Sequence, residues 1–152
     1  MEKTIIRKVK PTDLVQIFTL EQSSFKHPYS QFYLAALVEL NSEKFFVAEA
    51  EHKIIGYAVA TLEGNTGHII SIAVHQEYRN RKIGTKLMLN LIEQLTVSGA
   101  STIRLEVQKD NIAAHKMYQK LGFQAAHMLK NYYAKGEDGI LMIKHLRVES
   151  HD

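Results

Sequence analysis

The chain has 152 residues, 45% of them apolar and 23% charged, with 19 Lys and Arg against 16 Asp and Glu for a net charge of +3. This suits a single globular domain with a sizeable core, and the basic excess is too mild for a nucleic-acid-binding arm. There is no cysteine, which excludes disulfides, thiolate-rich metal sites and a cysteine acyl-enzyme.

The first residues, MEKTIIRKVK, have no long apolar stretch after their charges, so no signal peptide is expected. Nothing approaches the length of a membrane span, and a soluble, cytoplasmic protein is the default. The segment TIIRKVK reads as a first strand. Pro11 then opens a helix marked by Leu14, Ile17, Phe18 and Leu20. KHPYS breaks it, and SQFYLAALVEL gives a second helix with Ser30 as N-cap. EKFFVAEAEHKIIGYAVATLEG predicts two strands around a turn at EHK, and GHIISIAVH a third.

Ile83, Leu87, Met88, Leu91, Ile92 and Leu95 mark the next helix, closed by Gly99. STIRLEVQ is a strand with Ile103, Leu105 and Val107 on one face and Arg104 and Glu106 on the other. DNIAAHKMYQKLGF is a helix that Asp110 or Asn111 can cap and Gly122 can close. Two strands are expected around 123–129 and 139–146, separated by a polar loop, KNYYAKGED. The expectation is one domain over 1–147 with a polar tail at 148–152. The order is mixed α/β, antiparallel in its first half, without the strict alternation of a doubly wound fold.

One junction conflicts with simple electrostatics. Arg79, Arg81 and Lys82 crowd in front of Gly84 where a helix begins, although that end of a helix is already positive. An anion would resolve the conflict, because unpaired N–H groups and the dipole both favour one there. The Walker spacing and the three-glycine dinucleotide fingerprint are both absent. Standing alone, the stretch reads equally well as a solvated basic turn.

ISIAVHQEYRNRKIGTKLM resembles the acetyl-CoA motif of the GNAT superfamily of N-acetyltransferases, whose loop reads R/Q-x-x-G-x-G/A. LEVQKDNIAAHKMYQKLGF is similar to the second half of that family's core. NYYAKGEDGILMIKHL resembles the end of its N-terminal branch, which includes the archaeal and RimI-like enzymes. The likeness covers most of residues 4–146. It implies a GNAT fold: a mixed, largely antiparallel central sheet flanked by helices, with strands near 68–74 and 102–108 splayed around the thioester. It also implies that Ile72, Ala73 and Val74 bind the pantetheine arm. Arg79, Asn80, Arg81, Lys82, Ile83, Gly84 and Thr85 would wrap the pyrophosphate. Lys82 replaces the family's first loop glycine, a position where glycine permits a positive φ.

Acetyl transfer to an amine needs a proton acceptor at nitrogen, a donor for the leaving thiolate and close positioning of both substrates. Without cysteine, direct attack in a ternary complex is favoured, and a serine-linked route stays open. The resemblance makes Tyr118 the acid; the alternative is a helix tyrosine that only packs on the sheet. Glu106 matches a strand carboxylate near the amine, either as base through a water or as anchor for the ammonium; the alternative is an ordinary solvent-facing glutamate. His68 matches a family histidine, and imidazole suits a proton carrier, but it is one of eight histidines. Tyr29 stands where relatives carry a glutamate, which shifts weight to Glu106. Asn111 is read as helix cap and partner of the cofactor arm, and Tyr132 and Tyr133 as a peptide-binding wall.

These residues point to an acetyl-CoA-dependent N-alpha-acetyltransferase acting on protein or peptide N-termini, with no metal. The rivals are a lysine or small-amine acetyltransferase on the same scaffold, and a nucleic-acid or protein-binding module using the basic loop 79–86. No membrane partner is expected. Whether a ribosome or auxiliary subunit is a partner is not written in the sequence.

Overall fold

A computed structural model describes residues 3–146, so the expected tail at 148–152 lies outside the described residues. The elements are β1 (Thr4–Lys8), α1 (Leu14–Ser24), α2 (Gln31–Leu40), β2 (Phe45–Ala50), β3 (Lys53–Glu63), β4 (Thr66–Val74), α3 (Ile83–Val97), β5 (Thr102–Gln108), α4 (Ile112–Lys120), β6 (Gln124–Ala134) and β7 (Glu137–His145). Seven strands form one mixed sheet in the order β1-β2-β3-β4-β5-β7-β6. The β1–β2, β2–β3, β5–β7 and β6–β7 ladders are antiparallel and β4–β5 is parallel. No helix among the described residues is long and apolar enough to cross a membrane.

The chain forms two compact units, one from residues up to Thr61 with Ile70–Gln94, the other from Leu62–Ile69 with Leu95 onward. In the first, Ile17, Leu20, Leu34, Leu37 and Val38 of α1 and α2 pack with Phe45, Val47, Tyr57 and Val59. Burial of each such side chain contributes about 1.5–3 kcal/mol. Pro11 opens a short 3-10 turn over Pro11–Asp13, and α1 begins after it. The entry is fixed by Arg7, which donates to both Asp13 oxygens at 2.8 and 2.9 Å and to Glu49 at 2.7 Å. Ser30 caps α2, its hydroxyl accepting from the Tyr33 N–H. The turn after β2 is the pair Glu51–His52, both at positive φ. Gly56 lies where a Cβ would come within 3.2 Å of the Ala73 carbonyl and Leu87, which lets β3 approach β4 and α3 closely.

In the second unit β5 alternates buried and half-buried residues from end to end, as its two-faced sequence predicts. Its ladder with β4 holds three pairs, Thr66↔Thr102, Gly67↔Ile103 and His68↔Arg104. Asn111 caps α4 and Gly122 follows it at φ 95°. Tyr132 and Tyr133 lie within β6, not in a loop as expected. The strand runs to Ala134 through a register shift, with Asn131 at φ 54°. Asn131 is held there: its N–H donates to Asp138 and its side-chain oxygen accepts from Gly136, both at 2.8 Å.

Candidate active site

The first unit carries the basic loop. Its last strand ends at Val74, with Ile72 and Val74 half-buried and Ala73 buried. Arg79 folds back so that its Nε donates to the Val74 carbonyl at 3.2 Å, tying the loop to that strand. The Arg81 guanidinium lies 5.0 Å from the centre of the Tyr78 ring, a cation–π contact. Asn80 and Lys82 both take positive φ, 65° and 63°. Asn enters this region readily; lysine does so at a cost of about 1–2 kcal/mol. Lys82 therefore adopts the left-handed conformation that glycine would supply.

At the start of α3 the Lys86 N–H donates to the carbonyl of Lys82, the residue before the helix, at 3.1 Å. The N–H groups of Ile83, Gly84 and Thr85 come earlier and have no acceptor within the helix. Backbone donors, the positive helix end and three cationic residues, Arg79, Arg81 and Lys82, thus fall within one short segment. This is the chemistry that a pyrophosphate requires. A cleft of about 430 Å³ in the same unit, lined by Val15, Thr19, Lys53, His75 and Tyr78, contains none of the candidate residues.

The second unit carries a charged cluster. His68 and Arg104 are ladder partners on β4 and β5, and Glu106 lies two residues beyond Arg104 on the same face. Glu106 uses both carboxylate oxygens: Oε2 is 2.7 Å from His68 Nε2, and Oε1 accepts from Arg104 at 2.8 Å. Arg104 also approaches Glu63 at 3.8 Å. The Glu106 side chain is only 13% exposed. Burial alone would raise its pKa, but the His68 hydrogen bond and the positive charge beside it hold the carboxyl below its ordinary value. At neutral pH the group is therefore an anion, better suited to gripping a cation than to taking a proton unaided.

Tyr132 lies on β6, half-exposed, and its phenol is raised by burial and then by the charge of Glu106. Its ring meets Tyr133 edge-on at 4.9 Å. A Cβ on Gly139 would stand 3.1–3.3 Å from these two rings, so the glycine makes room for the pair. Tyr118 is buried on α4, its ring 5.9 Å from Phe123. Burial pushes its phenol well above the ordinary value, which keeps it protonated at neutral pH as a donor rather than a base. Asn111 accepts from the Ala114 N–H at 3.2 Å, so its side-chain oxygen serves the cap.

Two residues carry weight that spacing assigned to no role. Arg104 was visible beside Glu106 on a polar strand face, and its ion pair with that residue follows from the i, i+2 relation. Glu21 is buried in α1; the only sign was a carboxylate set in the apolar stripe of Ile17 and Leu20.

Comparison with known proteins shows the family. The model of the acetyltransferase (GNAT) family matches residues 13–123. An N-alpha-acetyltransferase of Sulfurisphaera tokodaii is 32% identical over 90% of each chain. An uncharacterised N-acetyltransferase of Methanocaldococcus jannaschii is 36% identical over 92% of this chain and 90% of its own. Among solved structures, the ribosomal-protein-S18-alanine N-acetyltransferase of Escherichia coli superposes with a TM-score of 0.87 at 27% identity, covering 99% of this chain and 98% of its own. The family model across most of the chain and relatives above 30% identity over about nine-tenths of it lead to one assignment: this protein belongs to the GNAT family of acetyltransferases and draws its acetyl group from acetyl-CoA.

Proposed function

We propose that the chain acetylates the α-amine of a protein or peptide N-terminus by direct attack on acetyl-CoA in a ternary complex. The observation that carries this reading is Glu106, an anion kept ionised by His68 and Arg104. A chain's α-amine titrates near ~7.7–8.0 and a lysine near ~10.4, so at pH 7 about a tenth of α-amines are neutral against well under ~0.1% of lysines. An α-amine therefore needs no strong base. Glu106 attracts the ammonium, which loses one proton to His68 or a water; the neutral nitrogen then attacks the thioester carbon and gives up a second proton to solvent as the C–S bond breaks. Tyr118 donates to the sulfur as the thiolate leaves.

Acetyl-CoA supplies the activated acyl group. The N–H groups of Ile83, Gly84 and Thr85 and the cations Arg79, Arg81 and Lys82 would hold its pyrophosphate. Ile72, Ala73 and Val74 would receive the pantetheine arm, with Asn111 as a further partner. Tyr29, Tyr132 and Tyr133 would meet the acceptor peptide. The relative named as an N-alpha-acetyltransferase supports the choice of amine. The family match draws on both units, which supports reading residues 1–147 as one acetyltransferase domain. We place the reaction in the cytoplasm, with the ribosome or an auxiliary subunit as a partner.

The test is twofold. Acetyl-CoA should raise the melting temperature and an oligonucleotide should not. In a screen of short peptides with varied first residues, mass spectrometry should find the acetyl group on the α-amine. Stabilisation by the oligonucleotide alone would favour the binding-module reading, and acetylation confined to lysine would favour the alternative acceptor.

A further inference from the structure

We propose that Glu21 is a positioning residue for the acceptor: its buried carboxylate fixes the backbone of the α1–α2 connection at Tyr29. The inference rests on the reading of Tyr29 as a residue that meets the peptide.

Glu21 is 1% exposed, on the face of α1 that also buries Ile17 and Leu20. A carboxylate there is costly unless its oxygens are satisfied, and a leucine would fill the stripe without that cost. Its oxygens are satisfied from three separate segments. Oε1 accepts from the Ser71 hydroxyl at 2.8 Å and from the Tyr57 hydroxyl. Oε2 accepts from the backbone N–H of Tyr29 at 3.0 Å. Burial, and then the charge of Glu21, push the Tyr57 phenol far up, so that hydroxyl stays a donor.

The connection it holds, residues 25–30, has no regular structure, and Pro28 offers no N–H. Glu21 meets both ends of it. The backbone carbonyl of Glu21 accepts from the Phe25 N–H at 3.2 Å, and the carboxylate accepts from Tyr29. The next residue, Ser30, caps α2. Fixing the Tyr29 nitrogen therefore fixes where its side chain departs. That ring lies 4.8 Å from Tyr33, and both rings are more than a third exposed. A buried carboxyl group held by two hydroxyls and a backbone N–H thus orients an exposed aromatic pair.

Two substitutions and one measurement on the wild-type chain test this. In Glu21→Gln the amide oxygen can still accept from Tyr29, while its NH2 donates to the hydroxyl oxygens of Tyr57 and Ser71, which can rotate. Its peptide KM should stay within about twofold of wild type. Glu21→Met keeps the bulk and loses the acceptor. Its peptide KM should rise about five- to tenfold, the scale of one net hydrogen bond, with the KM for acetyl-CoA changed less than about twofold. Hydrogen exchange on the wild type should show the Tyr29 amide protected relative to an unstructured peptide. A folded Met variant with unchanged peptide KM would overturn the proposal. So would equal rises in both KM values, or an unprotected Tyr29 amide, a result available even if the Met variant does not fold. If the wild type acetylates no free N-terminus, the acceptor reading fails, and the exchange measurement still decides whether Glu21 holds the loop.

Discussion

Glu21 and Glu106 are two withdrawn carboxylates satisfied in opposite ways. Glu21 faces neutral donors: two hydroxyls and a backbone N–H. Glu106 faces an imidazole and a guanidinium. The partners of Glu21 are buried strand side chains and main chain, so they cannot be exchanged for a ligand without disturbing the core. Arg104 is about a third exposed, so an ammonium arriving from solvent can compete with it for the Glu106 oxygen. At Glu21 neutral donors fix geometry, whereas at Glu106 ionic partners fix charge and leave it exchangeable. The first suits a scaffold and the second suits a reaction.

The same substitution at the two positions tests that contrast. Glu106→Gln should raise the peptide KM about tenfold or more at pH 7, the scale of a lost hydrogen bond to a charged group, where Glu21→Gln should do little. The difference should shrink as pH rises toward about 9, where the α-amine deprotonates unaided. Acid unfolding adds a signed check. The folded pKa of Glu106 is depressed, so its contribution to stability is present above the unfolded value of about 4.3 and is lost as pH falls through the folded value. Circular dichroism against pH should show that loss in the wild type and not in Glu106→Gln.

Tyr118→Phe keeps the ring against Phe123 and removes the hydroxyl. Turnover should fall about tenfold or more with little change in acetyl-CoA binding, because the lost interaction belongs to the transition state. A loss confined to binding would leave the tyrosine a packing residue. The cationic loop should respond the other way. Arg79→Ala with Arg81→Ala should raise the KM for acetyl-CoA about tenfold at low salt, less at high salt, with kcat nearly kept. An unchanged KM would remove the loop from the cofactor site.

Lys82→Gly should have the smallest effect. It relieves a lysine at φ 63°, a gain of about 1–2 kcal/mol, offset by about 0.4–1 kcal/mol of added freedom in the unfolded chain. The melting temperature should rise by roughly 1–4 °C, while acetyl-CoA binding weakens at low salt only. A fall in melting temperature would mean that the left-handed lysine is held by contacts worth more than its strain.

Much of this was legible in the sequence where periodicity is strong. β5 and α3 show clean apolar patterns, and the caps Ser30, Asn111 and Gly122 are local chemistry. β6 was read short because nearly all of it is exposed, which leaves no alternation to follow, and a bulge at Asn131 breaks its register. The site divides along the same line. The basic loop is contiguous and could be read directly. The His68–Glu106 pair joins residues 38 apart in sequence, and only the β4–β5 register brings them together. Glu21 shows in the sequence only as a carboxylate in an apolar stripe, because the partners that justify its burial come from β3, β4 and a loop.

The central claim is tested most directly by two versions of one peptide: one with a free N-terminus and no free lysine, the other with a blocked N-terminus and one free lysine. With acetyl-CoA at saturation and pH 7, kcat/KM for the free terminus should exceed that for the lysine by roughly 200- to 400-fold, the ratio of the two neutral-amine populations. Faster acetylation of the blocked, lysine-bearing peptide would contradict the account and make the side-chain amine the acceptor.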